Sequence, residues 1–216
     1  MSDIFREVDE DVRAQEYLRL WKTYGKLVIA GMFAIVLGTA GSVIWRNYQN
    51  NKMQKEGDQF ALAVADSQAG SDDQAAKLFG EIAKDSGKGY GLLAKLQQAE
   101  VLIKQGKTDA AVKIYDAVAA DGHYAKVYRD LASLSSAMQQ MDTGNPQMLE
   151  TRLEALDTKD NPWRFSAQEL LAALALRKGD QQTAKDLFKG LADNEAAPSG
   201  IRSRAKEMLS TMESKS

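Results

Sequence analysis

The sequence predicts an all-α protein: one N-terminal transmembrane helix followed by a solenoid of paired helices. Three observations carry that prediction. The uncharged run 27–45 (LVIAGMFAIVLGTAGSVIW) is nineteen residues long. As a helix it spans roughly 28 Å, about one hydrocarbon core. Prolines number only 3, and apolar residues recur at helical rather than alternating spacing. Beyond the run, one pattern of small and large apolar residues returns four times.

The membrane run comes first. Trp21 and Tyr24 precede it and Trp45 and Tyr48 follow it, as rings do at the headgroup level of both leaflets. Lys22, Lys26 and Arg46 stand just outside, where their stems can snorkel. A secretory signal has a short basic start and a small-residue cleavage site. Here 26 residues precede the run, six of them acidic, and it ends Val43, Ile44, Trp45, Arg46. A retained anchor is therefore expected. Arg13, Arg19, Lys22 and Lys26 on one side against Arg46, Lys52 and Lys55 on the other weakly favour an inside N-terminus. Within the run, Ala30, Ala34, Gly38 and Ser42 form a small-residue stripe at i, i+4 spacing. Two readings stand: close packing against a membrane partner, or the small-residue content ordinary in such helices.

Composition bounds the remainder. The net charge is −2, and the residues after 45 hold 23 basic and 24 acidic side chains, so no basic field for nucleic acid is expected. The cysteine count is 0, which excludes disulfides, thiolate metal sites, cysteine nucleophiles and a lipoprotein anchor.

The soluble part repeats itself. Ala75, Phe79 and Ile82 form an i, i+4, i+7 stripe, as do Ala111, Tyr115 and Val118, then Leu149, Leu153 and Leu156, then Ala184, Phe188 and Leu191. The steps are 36, 38 and 35 residues. Twelve residues before each stripe stands an alanine: Ala63, Ala99, Ala137 and Ala172. A small residue in a first helix lets a second helix close on it, and the large residue of the second fills the gap to the next pair. Asn145 with Pro146 and Asn161 with Pro162 read as N-caps followed by first-turn prolines. Gly106 and Gly179 read as helix terminators. A last helix over about 199–213 caps the array.

These units resemble tetratricopeptide repeats, best over 92–125 and 165–198, with turns Gly106-Lys107-Thr108-Asp109-Ala110-Ala111 and Gly179-Asp180-Gln181-Gln182-Thr183-Ala184. The early tryptophan and glycine of that repeat are absent, and the unit around 130–160 is the most divergent. The expected organisation is a short segment 1–26, a transmembrane helix 27–45 and a repeat domain 46–213.

With this layout, and with segments such as Leu96-Gln97-Gln98-Ala99-Glu100 and Leu174-Ala175-Leu176-Arg177-Lys178-Gly179-Asp180, the chain resembles the YfgM-type family of bacterial inner-membrane proteins. The resemblance implies a single-pass protein with a cytoplasmic N-terminus and a periplasmic repeat domain. It implies an ancillary subunit of the Sec translocon, accompanied by a periplasmic membrane-anchored chaperone and acting on newly secreted chains. No enzyme and no cofactor are expected, since no catalytic or metal-binding signature is present. The acidic Asp9-Glu10-Asp11 segment is a departure in the cytoplasmic part.

Little chemistry is legible. His123 is the only histidine and falls in a turn between units, where it reads as a solvated loop residue rather than a base or a metal ligand. Residues 86–91 (SGKGYG) lack the spacing and the preceding strand of a P-loop and read as an inter-repeat loop.

Binding is the more promising theme. If the first helices line a concave face, it carries Phe60, Val64, Leu93, Leu96, Glu100, Ile103, Leu134, Met138, Met141, Glu169 and Leu176. That face is a groove for an unfolded segment or a partner helix, or else its side chains are simply core. Tyr124, Tyr128, Trp163 and Phe165 add aromatic surface with the same ambiguity. Ile4, Val8 and Val12 share a helical face within an acidic N-terminal segment, read as a solvated tail or a short docking element. The alternative function is a scaffold for envelope assembly or cell division that binds folded partners.

Overall fold

The computed structural model describes residues 2–87 and 89–214; for residues 2–17, Leu20 and Val28 it describes the backbone alone. The Ile4, Val8 and Val12 side chains and Lys88 therefore lie outside the described residues. Among the described residues there are nine α-helices and no strand. They are α1 (Ser2–Gln68), α2 (Asp72–Asp85), α3 (Tyr90–Lys104), α4 (Thr108–Ala120), α5 (Lys126–Gln139), α6 (Pro146–Glu154), α7 (Arg164–Arg177), α8 (Gln181–Asp193) and α9 (Ser199–Ser214). Contacts divide the chain into two units, Met1–Lys55 and Glu56–Ser216.

In the first unit the apolar run is helical throughout. A helix is the single-segment solution in hydrocarbon because it satisfies every interior backbone group within itself. The hydroxyls obey the same rule. Thr39 Oγ1 donates to the carbonyls of Ile35 and Val36 at 2.9 Å each, and Ser42 Oγ donates to that of Thr39 at 2.8 Å. The run thus asks nothing polar of its surroundings.

In the second unit, successive helices pack on one another in chain order. Residues 56–68 of α1 pair with α2, then α3 with α4, α5 with α6 and α7 with α8, while α9 covers the end. All sixteen positions of the repeat pattern, four alanines and four three-residue stripes, are at most 3% exposed. Each core cluster joins one pair to the first helix of the next or, at the end, to α9. No pair closes its own core, so stacking is what makes the unit fold.

Three of the four turns within pairs share one device. Gly70, Gly106 and Gly179 adopt φ of 80°, 74° and 79°, a region costly to residues with a Cβ. At Gly106 the amide bonds to the Ile103 carbonyl (2.8 Å) and that of Lys107 to the Leu102 carbonyl (2.8 Å), a Schellman closure. Gly179 and Asp180 repeat it on Leu176 (3.0 Å) and Ala175 (2.9 Å). The third pair departs. α5 stops at Gln139, three positions early by the repeat register, and an irregular turn follows. Arg177, from the end of α7, donates to the carbonyls of Met141 and Gly144 at 2.8 Å each and so satisfies that turn from outside.

Asn145 caps α6 as expected: its side chain accepts from the amides of Gln147 (3.0 Å) and Met148 (3.2 Å), with Pro146 following. Asn161 does not cap α7, a correction to the sequence expectation. The helix starts at Arg164, after Trp163; Asn161 accepts from the Trp163 amide at 2.9 Å and donates to Asp130 at 2.9 Å. It braces the linker to α5 instead. Gly91 is likewise inside α3 rather than in a loop, and a Cβ there would meet the Ser86 carbonyl oxygen at 2.4 Å, so the close packing of the helix start on the linker admits only glycine.

Candidate functional site

From residue 27 to residue 45 the described large apolar side chains, among them Leu27, Phe33, Ile35, Leu37, Ile44 and Trp45, are exposed. Leaving such a side chain in water forgoes ~1.5–3 kcal/mol, which no soluble helix sustains over a whole run. Among the described residues, the helix containing this run is the one long and apolar enough to cross a membrane. Ala30, Ala34, Gly38 and Ser42 lie exposed along it, and a Cβ on Gly38 would meet nothing within 4 Å.

The candidate concave residues separate by environment. Phe60 stacks edge-on against Phe79 (5.4 Å between centroids) and packs on Tyr90 (5.6 Å), with Val64 in the same cluster. Leu96 and Ile103 pack against the core of the second pair, and Leu176 against that of the fourth. Leu134 is 8% exposed and belongs to the core that Met141 borders. Two polar members hold structure together. Glu100 Oε1 accepts from the buried Tyr115 hydroxyl at 2.6 Å, and burial plus that carboxylate push the phenol well above its ordinary range. Glu169 receives a two-pronged bond from Arg204 of α9 at 2.6 and 2.7 Å. Leu93 and Met138 are left open to solvent, Met138 at 50%.

The aromatic candidates are mostly engaged too. Lys95 Nζ donates to the Tyr124 hydroxyl at 3.0 Å and stands 5.3 Å from its ring centre. Trp163 Nε1 donates to the Val127 carbonyl at 2.9 Å, and Arg164 lies 4.2 Å over Phe165. Tyr128 is exposed. His123 is an exposed turn residue whose Nδ1 and amide both meet Asp121 Oδ1, at 2.8 and 3.0 Å. Those bonds, the amide foremost, hold the Asp121 carboxyl below its usual value.

Sequence reasoning missed the polar braces. Asp116 (α4) accepts from Ser136 of α5 at 2.6 Å and from Arg152 of α6 at 2.8 Å, tying three helices together. No periodicity signals such a set, because its members are spread over 36 positions.

A helix long and apolar enough to cross a membrane, helix pairs at a period near 36 residues and an end cap together define a type. The family model for the tetratricopeptide repeat-like domain matches residues 19–200. The chain belongs to that family. Among curated proteins it is similar to an ancillary SecYEG translocon subunit of Aggregatibacter actinomycetemcomitans. The two are 25% identical over 193 residues, covering 88% of this chain and 92% of the relative. The two matches bear out the YfgM-type resemblance, and the repeat-like scaffold with an ancillary-subunit relative points to a non-catalytic adaptor.

Proposed function

We propose that this tetratricopeptide repeat-like protein is a membrane-anchored adaptor and ancillary subunit of the Sec translocon in a bacterial inner membrane, working within a periplasmic chaperone network. The similarity to a translocon subunit, which runs along nearly all of both chains, carries this reading. The exposed apolar run supports the anchor. In this reading residues 1–26 are cytoplasmic, 27–45 cross the membrane and 46–213 stand in the periplasm. The stripe Ala30, Ala34, Gly38 and Ser42 packs against a membrane partner, since small residues let helix backbones approach closely. Leu93 and Met138, the members of the candidate face left open to solvent, contact newly secreted chains or the companion chaperone.

The test is co-purification of the full chain in mild detergent. Translocon subunits are expected with it, and their repeated absence sinks the reading. A photo-crosslinker at Met138 then separates the functions: labels on many nascent chains fit the adaptor, and one dominant folded partner fits an envelope scaffold.

A further inference from the structure

A groove of about 610 Å³ opens between the second helices of the first two pairs, α2 and α4, with α3 at its floor. Lys95 and Gln98, its α3 lining, lie on the opposite side of that helix from Leu93, Leu96 and Glu100. It is therefore a different surface from the first-helix face.

The repeat register explains why the groove is open. Between the second and third pairs, the equivalent positions hold Asp116, Ser136 and Arg152, whose mutual bonds of 2.6–2.8 Å close the space. Shifted back by one unit, those positions are Gly80, Gln98 and Ile114. Gly80 offers no side chain, and Gln98 turns to donate to the Ala76 carbonyl at 3.1 Å. With Ala83 and Ala117 also small, the walls stay low and apolar.

The rim is cationic. Lys77 and Lys84 project from α2, Lys95 from α3 and Lys113 from α4, against the single carboxylate of Glu81. Lys77, Lys84 and Lys113 form no ion pair among the described residues. Lys77 and Lys84 are seven residues apart, roughly 10 Å along the helix. The excess positive charge thus flanks an apolar trough from both sides. A flat lipid surface would rest on the two ridges and miss the apolar floor, whereas a narrow polypeptide segment would contact both rims and the floor.

We infer that this groove is a docking site for an acidic segment of a protein partner, with carboxylates meeting the lysines of α2 and α4 and a small apolar contact on the floor. The inference does not depend on which membrane complex the chain joins.

The test uses the full chain in phosphatidylcholine nanodiscs and a fluorescein-labelled peptide of alternating glutamate and leucine. The wild type is expected to bind it, and the double variant Lys77→Glu/Lys113→Glu to bind at least about tenfold more weakly while gaining affinity for a lysine–leucine peptide. Ala117→Leu, which fills the floor and leaves the charges, should weaken binding too. No binding by the wild type, or equal binding by the double variant, overturns the inference. Charge reversal that abolishes only capture of phosphatidylglycerol vesicles assigns the groove to lipid and also overturns it. Charge reversal that dissociates a dimer does the same in favour of a second copy.

Discussion

Ala99→Phe tests the packing logic most directly. Ala99 is fully buried where α3 meets α4, in the cluster of Leu92, Ala111, Tyr115, Val118 and Ala132. A ring has no cavity to enter there, and overpacking of this kind costs about 1–3 kcal/mol. The next residue is Glu100, which accepts the Tyr115 hydroxyl at 2.6 Å. Forcing α3 away from α4 stretches that bond, worth about 1 kcal/mol. Together they come to about 2–4 kcal/mol, or a Tm lower by about 4–16 °C for a domain of this size. Circular dichroism melts of the full chain in detergent read it. Ala110→Phe, at an exposed position on α4, is the control and should change stability by no more than about 0.5 kcal/mol. A melt of Ala99→Phe indistinguishable from that control would refute the reasoning, since the alanines would then not set the helix spacing.

Three further outcomes follow from the same geometry. Gly106→Ala, forced to φ of 74°, should lower stability by about 1–2 kcal/mol in urea unfolding, since the left-handed region penalises a Cβ. Arg177→Ala leaves the Met141 and Gly144 carbonyls without that donor and should speed amide hydrogen exchange across residues 140–145 before it affects other turns. Asp180 caps α8 by accepting from the Thr183 amide at 3.0 Å, and that bond holds its carboxyl below the usual range. Because the folded value is the lower one, this stabilisation is complete above the unfolded value near about pH 4 and is lost as the pH falls through the folded value. Asp180→Asn keeps a cap without the titration, so Tm plotted against pH should fall less steeply between about pH 5 and 3.

The repeat architecture was legible because it rests on apolar spacing within single helices. Ala63 with Phe79, or Ala172 with Phe188, announce buried faces from sequence alone. Gly106 and Gly179 were readable for the same local reason, being termini that need a left-handed residue. What joins distant helices was not readable. Arg152 meets Asp116 from 36 positions away, and Arg204 meets Glu169 from 35. Glu100 and Glu169 looked like polar members of a binding face because a sequence shows the charge and hides its partner. The groove lysines sit on three helices and form no run. Asn161 with Pro162 had the residues of a cap, yet its side chain is taken up by Asp130 and the Trp163 amide, and α7 starts only at Arg164.

The spacing inside each pair has a consequence for how such a chain can grow. From the first-helix alanine to its stripe is twelve positions in all four pairs, whereas the distance from a stripe to the next alanine varies. The variation lies within the first helices: from helix start to alanine is nine positions in α3 (Tyr90 to Ala99), eleven in α5 (Lys126 to Ala137) and eight in α7 (Arg164 to Ala172), while from each stripe to the next helix start is fifteen every time. One residue added beside Gly106 or Gly179 would turn a whole helix away from its core, whereas a tag or a label has room at the exposed linker residues Gly122, His123 and 157–160, clear of Tyr124, Asn161 and Trp163.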